Sequence, residues 1–129
     1  MPMSTGSPPA KGALPILDPE TYCFVHRPFG SEGLPALEPL MRFEEAEGTT
    51  LIVEAEAAAA AHLEGSFPCR RITIGAVTSL SSVGLMAAVS TRMAEAGIPV
   101  NPVAGFYHDH LFVPVGRAEE ALALLLSPE

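Results

Sequence analysis

Cys69-Arg70-Arg71-Ile72-Thr73-Ile74-Gly75-Ala76-Val77 decides the fold, because it reads as a central strand from which the rest of the chain can be laid out. Downstream, Ser81 or Ser82 can cap a helix that runs to about Ala96 and is stopped by Gly97. Leu85, Met86, Val89 and Met93 fall on one stripe of that helix. Val100 to Phe106 and Leu111 to Val115 form a hairpin, and Ala118 to Leu126 forms a last helix with Leu122, Leu125 and Leu126 toward the core. Strand, helix, strand, strand, helix is the split βαβ, or ferredoxin-like, plan without its final strand. Only three residues follow Leu126, too few to supply a strand at about 3.3 Å per residue. The missing edge must be filled from the first half, by a partner chain, or not at all.

Upstream, the pattern is an incomplete version of the same plan. Thr21-Tyr22-Cys23-Phe24-Val25-His26 is β-branched and aromatic and stops at Arg27-Pro28, which makes a first strand. Met41 to Ala46 and Thr49 to Glu54 flank Glu47-Gly48, a two-residue hairpin signal. Ala55 to Leu63 consists almost wholly of helix formers and ends before Gly65, a natural stop. Pro2, Pro8, Pro9, Pro15 and Pro19 block regular pairing before that. The expected division is therefore a disordered or draped arm over residues 1–18, an N-terminal half over 19–66 and a C-terminal domain over 67–129. The fold class is α+β, of βαββαβ type: two interlocked half-repeats whose antiparallel sheets are packed by helices on one face.

Composition removes several functional classes. With 129 residues the chain fits one domain, or two small units sharing a sheet. Fifteen acidic against seven basic residues give a formal charge of -8, and Arg70-Arg71 is the only basic pair, so no nucleic-acid partner is expected. No apolar run approaches the roughly 20 residues of a membrane span. The first residues lack a basic start followed by an apolar stretch, so a cytoplasmic address is expected. Cys23 and Cys69 are too few for a disulfide framework or a four-cysteine zinc site and read as free buried thiols.

Tyr107-His108-Asp109-His110 gathers titratable groups between the two strands of the second hairpin. On an extended strand His108 and His110 share a face, with Asp109 pointing away. Two histidines do not make a metal site, and no metal or cofactor is expected. No Ser/His/Asp or Cys/His order, phosphate-binding glycine motif or paired carboxylates stands out, so no catalytic residues are assigned.

Val77-Thr78-Ser79-Leu80-Ser81-Ser82-Val83-Gly84-Leu85, with a helix ending Ala94-Glu95-Ala96-Gly97-Ile98, resembles the strand, glycine loop and first helix of an ACT domain, a small-molecule-binding regulatory module. The segment Val103-Ala104-Gly105-Phe106-Tyr107-His108-Asp109-His110-Leu111-Phe112-Val113-Pro114 closely resembles a bacterial family of small uncharacterised proteins with tandem ACT-like domains. It is also similar to the corresponding segment of the cytosolic arginine sensors of animals. The likeness covers residues 20–126 in plan, and 72–117 carries its motifs.

An amino acid needs donors for its carboxylate and acceptors for its ammonium, and a helix N-terminus offers unpaired N–H groups with a favourable dipole. The loop from Ser79 to Gly84 supplies that terminus: Gly84 allows close backbone approach, and Ser79 and Ser82 add hydroxyl contacts. Gly105 and Phe106 contribute backbone groups, as the resemblance implies, and Asp109 matches a carboxylate that contacts the ligand's cationic side chain in the arginine sensors. Those sensors carry an acidic residue where this chain has Ser82. Each feature also has a plain structural reading: a serine cap, a glycine relieving crowding, an aspartate in a turn. The expected function is an amino-acid-binding regulatory protein without catalysis, acting as a homodimer. The alternatives are a protein–protein interaction module with a vestigial pocket, or a His/Asp metal-binding protein.

Overall fold

A computed structural model describes residues 15–30, 37–75 and 83–127. Its elements are β1 (Ile16–Leu17), β2 (Tyr22–Pro28), β3 (Met41–Glu45), β4 (Gly48–Glu54), α1 (Ala55–Ala60), β5 (Ser66–Ile74), α2 (Leu85–Glu95), β6 (Asn101–Ala104), β7 (Asp109–Pro114) and α3 (Ala118–Leu126), the last entered through a 3-10 turn at Val115–Arg117. The seven strands form one antiparallel sheet in the order β3-β4-β2-β5-β7-β6, with β1 also on β5.

β5 joins the two units. β2 pairs with its first half (Tyr22 opposite Cys69), whereas β1 pairs with its second half (Ile16 opposite Thr73, Leu17 opposite Ile72). β7 occupies the other edge of that second half, Cys69 to Ile74, so β1 and β2 lie end to end along one edge of β5. Each unit is then a hairpin, a first strand and a closing strand: β3-β4-β2-β5 and β6-β7-β5-β1. β5 closes the first unit and opens the second. The strand that the C-terminal pattern lacks comes from the first half of the chain, out of the end of the arm expected over 1–18. That removes the reason for which a second copy was expected to fill it.

Strand alternation sorts the core into three clusters. On one face, Cys23, Val25, Leu51 and Val53 pack with Ala58 of α1, and Ile72, Ile74, Leu111 and Val113 pack with Val89 and Met93 of α2 and Ala118 and Ala121 of α3. On the other, Tyr22, Ile52, Cys69 and Phe112 are buried together, and every member of that cluster lies on a strand. Edge-to-face ring contacts of Phe112 with Tyr22 and Phe24, at centroid distances of 6.1 and 6.0 Å, fill this second face.

Both long-range helix stops follow one motif. Gly97, at φ 72°, ends α2: its N–H donates to the Ala94 carbonyl, and that of Ile98 donates to Met93 at 2.9 Å, with both Ile98 and Met93 buried. The same bonds end α1, but there His62 takes the left-handed position at φ 58°, its N–H reaching Ala59 and that of Leu63 reaching Ala58. Gly65 is therefore not the stop. A Cβ on it would stand 2.5 Å from the Cys23 Sγ, so the strand crossing needs the glycine.

Three further expectations shift by a few residues. The first hairpin turns at Ala46-Glu47, one position early, because Glu45 pairs with Gly48, whose missing Cβ admits the Arg27 carbonyl. The α2 N-cap is Gly84 at φ 100°, with no side-chain cap, in place of Ser81 or Ser82, which lie outside the described residues. On α3 the packed leucines are Leu122, Leu124 and Leu125, while Leu126, in the last turn, is 61% exposed.

Candidate functional site

The second hairpin ends where β5 stops. Ile74 and Ala104 both stand opposite Asp109, the first residue of β7, and Gly105-Phe106-Tyr107-His108 closes the loop with the Gly105 N–H donating to the His108 carbonyl at 2.8 Å. From Ile74 and Gly75 the chain leaves for α2, whose first residues, Leu85 and Met86, pack on the core that contains Ile74. Asp109 thus sits at the end of the sheet that the α2 connection departs from.

Asp109 and its neighbours separate by face. Leu111 and Val113 point into the helix-covered core, and two-residue periodicity puts Asp109 on that side. Asp109 is half-buried as a residue, and among the described residues its side chain takes no hydrogen bond or ion pair. His110 stands on the opposite face, with Nδ1 3.0 Å from the Thr73 hydroxyl. Burial, then the nearby Arg71 and His108 charges, push its pKa down to about 4, so the ring is neutral near pH 7. The His108 Nδ1 donates to the Gly75 carbonyl at 3.2 Å. Each ring is thereby engaged in holding the β5–β7 end, and no group of three metal-binding side chains occurs among the described residues.

The expected ligand residues distribute unevenly. Gly105, Phe106 and Asp109 come together at one hairpin end. Gly105, however, has a structural duty: a Cβ there would meet the His108 carbonyl at 2.9 Å and the His110 ring at 3.1 Å. Phe106 is 73% exposed, and its ring lies 5.0 Å from that of Tyr107 at the tip. Gly84 begins α2 with open space where a Cβ would be. Ser79 and Ser82 lie outside the described residues.

A second polar cluster escaped the sequence reading. Asp18 accepts from Arg71 at 2.8 Å and from the Tyr22 hydroxyl at 2.9 Å, both on Oδ2, while its carbonyl accepts from Arg70 Nε at 3.0 Å. The Arg71 guanidinium sits 5.9 Å from the Tyr22 ring centroid. Burial and the Asp18 carboxylate raise the Tyr22 pKa far above its ordinary value. The group ties the residue after β1 to β5, so it holds the closing strand of the second unit in place. Arg70-Arg71 was its one visible signal. Cys23 and Cys69 are free and buried, and burial pushes the Cys69 thiol up to about 12.

Two family models, each describing an ACT domain, match residues 11–70 and 66–127. They overlap on the first half of β5, the strand the two units share. A Vibrio cholerae protein of unknown function, described as a possible transport protein, is 42% identical in its solved structure, with 86% of this chain and 85% of that chain covered and a TM-score of 0.75. The chain belongs to the tandem ACT-like family. Two more distant structures share the fold of this tandem ACT-domain protein. One is an Agrobacterium tumefaciens protein, at 17% identity, 82% and 81% coverage and TM-score 0.67. The other is the regulatory subunit of aspartate kinase from Thermus flavus, at 13% identity, 85% and 93% coverage and TM-score 0.59. No protein of curated function matches the chain in sequence. The ACT matches support a regulatory, small-molecule-binding role. No helix among the described residues is long and apolar enough to cross a membrane.

Proposed function

We propose that this protein is a non-catalytic sensor that binds an amino acid between Asp109 and the start of α2. The observation that carries the reading is half-buried Asp109, whose side chain has no hydrogen bond or ion pair among the described residues, at the sheet end from which α2 is reached. Such a group is costly to leave unpaired, and an ammonium or a basic side chain satisfies it. The ligand's carboxylate is met by the α2 N-terminus at Gly84, where N–H groups without an intrahelical partner donate to it. Ser79 and Ser82 precede Gly84 in the same connection and add hydroxyl contacts, and the backbone at Gly105 and Phe106 borders the ligand.

Binding regulates by favouring one arrangement of the two units, or one homodimer, to the extent that the ligand prefers that state. The cytoplasm is the proposed setting, where the buried thiols Cys23 and Cys69 remain reduced. A thermal-shift panel of the twenty amino acids tests the reading: one chemical class raises the melting temperature, and Asp109→Ala abolishes the rise. A flat panel removes it.

Exposed Phe106 and Tyr107, whose rings meet edge to face, favour a second reading, an interaction module that docks a protein through the hairpin tip. Under it, Phe106→Ala with Tyr107→Ala abolishes partner capture while Asp109→Ala leaves it intact.

A further inference from the structure

The β5–β7 ladder ends at the candidate site, with Ile74 opposite Asp109. In the same register Gly75 and His108 come next, and a side chain links them: the His108 Nδ1 donates to the Gly75 carbonyl at 3.2 Å. The backbone of His108 is engaged as well, its carbonyl accepting from the Gly105 N–H at 2.8 Å. Gly75 lies at φ 82°, a left-handed turn that takes the chain out of the strand and toward α2. One side chain therefore fastens the hairpin end to the residue from which the α2 connection departs.

We propose that His108 is a positioning residue for ligand binding, which holds Asp109 and the root of the α2 connection at one fixed separation before anything binds. It is the covalent neighbour of one half of the site and hydrogen-bonded to the start of the other. The far end of that connection is already anchored, because Leu85 and Met86 pack on the core that contains Ile74. His108 supplies the anchor at the near end. His110 also steadies Asp109, through the Thr73 hydroxyl, but Thr73 lies within β5 and not at its exit. A ligand that touches both Asp109 and the α2 N-terminus then meets halves already aligned, and less ordering has to be offset by its contacts. His108 thus acts through its neighbours on either side, not as a contact of its own.

This role rests on the amino-acid reading above and adds the residue that assembles its site. The amino acid that most raises the wild-type melting temperature is titrated calorimetrically into each variant, with circular dichroism confirming folding. His108→Phe keeps a flat ring and loses the donor, and its Kd is expected to rise roughly three- to tenfold, the worth of one net hydrogen bond. His108→Asn, whose side-chain N–H stands as many bonds from the backbone as Nδ1, restores wild-type affinity. In the Asp109→Ala background His108→Phe weakens binding no further, because one of the two halves it aligns is gone. A residue that only stabilised the fold would weaken both backgrounds alike and would not be rescued by asparagine, and either result overturns the positioning role. Unchanged affinity in His108→Phe, with Asp109→Ala still weakened, overturns that role and keeps the sensor. No heat with any of the twenty amino acids overturns both.

Discussion

Leu17 stands opposite Ile72, and through that pair the first strand of the chain closes the sheet of the second unit. Leu17 also packs on the core that holds Val89, Met93 and Leu111, so sheet and core both depend on a segment remote in sequence. Leu17→Ala is expected to cost about 1–3 kcal/mol, at or below the low end of the range for core truncation because the residue is half-buried. Urea unfolding followed by circular dichroism measures it. A loss below about 0.5 kcal/mol, the level of an ordinary surface change, contradicts the closing role.

The glycines at the candidate site divide into one that the fold needs and one it does not. Gly105→Ala sets a methyl 2.9 Å from the His108 carbonyl and against the His110 ring, so it destabilises by about 1–3 kcal/mol through overpacking. Gly84→Ala meets open space and bears only its left-handed φ, about 1 kcal/mol. Thermal melts of the two variants should rank in that order.

His110 gives the stability a pH dependence of definite sign. Its folded pKa, about 4, lies below its ordinary 6.5, so between those values the unfolded chain binds the extra proton. Its contribution is complete above pH 6.5 and is lost as the pH falls toward 4. His110→Gln should flatten that part of the profile relative to the wild type, read as the difference between their denaturant midpoints from pH 7 to 4. Identical slopes contradict the burial of a neutral ring.

The ferredoxin-like plan was legible because its signals are local. Gly97 stops α2 where expected, and Leu85, Met86, Val89 and Met93 share a stripe that periodicity exposes. What was not legible depended on contacts across the chain. Ile16-Leu17 is two residues between Pro15 and Pro19 and acquires strand character only from the free edge of β5. Gly65 and Gly48 looked like a helix stop and a turn residue, and instead admit Cys23 and the Arg27 carbonyl. His62 does the stopping in a position usually reserved for glycine, which no composition rule flags. At the candidate site, alternation separated Asp109 from the two histidines. The duty of Gly105 toward His110 needed the packed hairpin to be seen.

Asp109 carries the central claim, and isothermal titration calorimetry tests it most directly. The amino acid that most stabilises the wild type in the thermal-shift panel is titrated into wild type and Asp109→Ala, with circular dichroism confirming that both are folded. The account predicts saturable binding to the wild type and at least roughly tenfold weaker binding to the variant, since truncating one partner of a desolvated charge pair costs about 2 kcal/mol or more. Equal affinity in the two proteins, or no heat with any of the twenty amino acids, contradicts it.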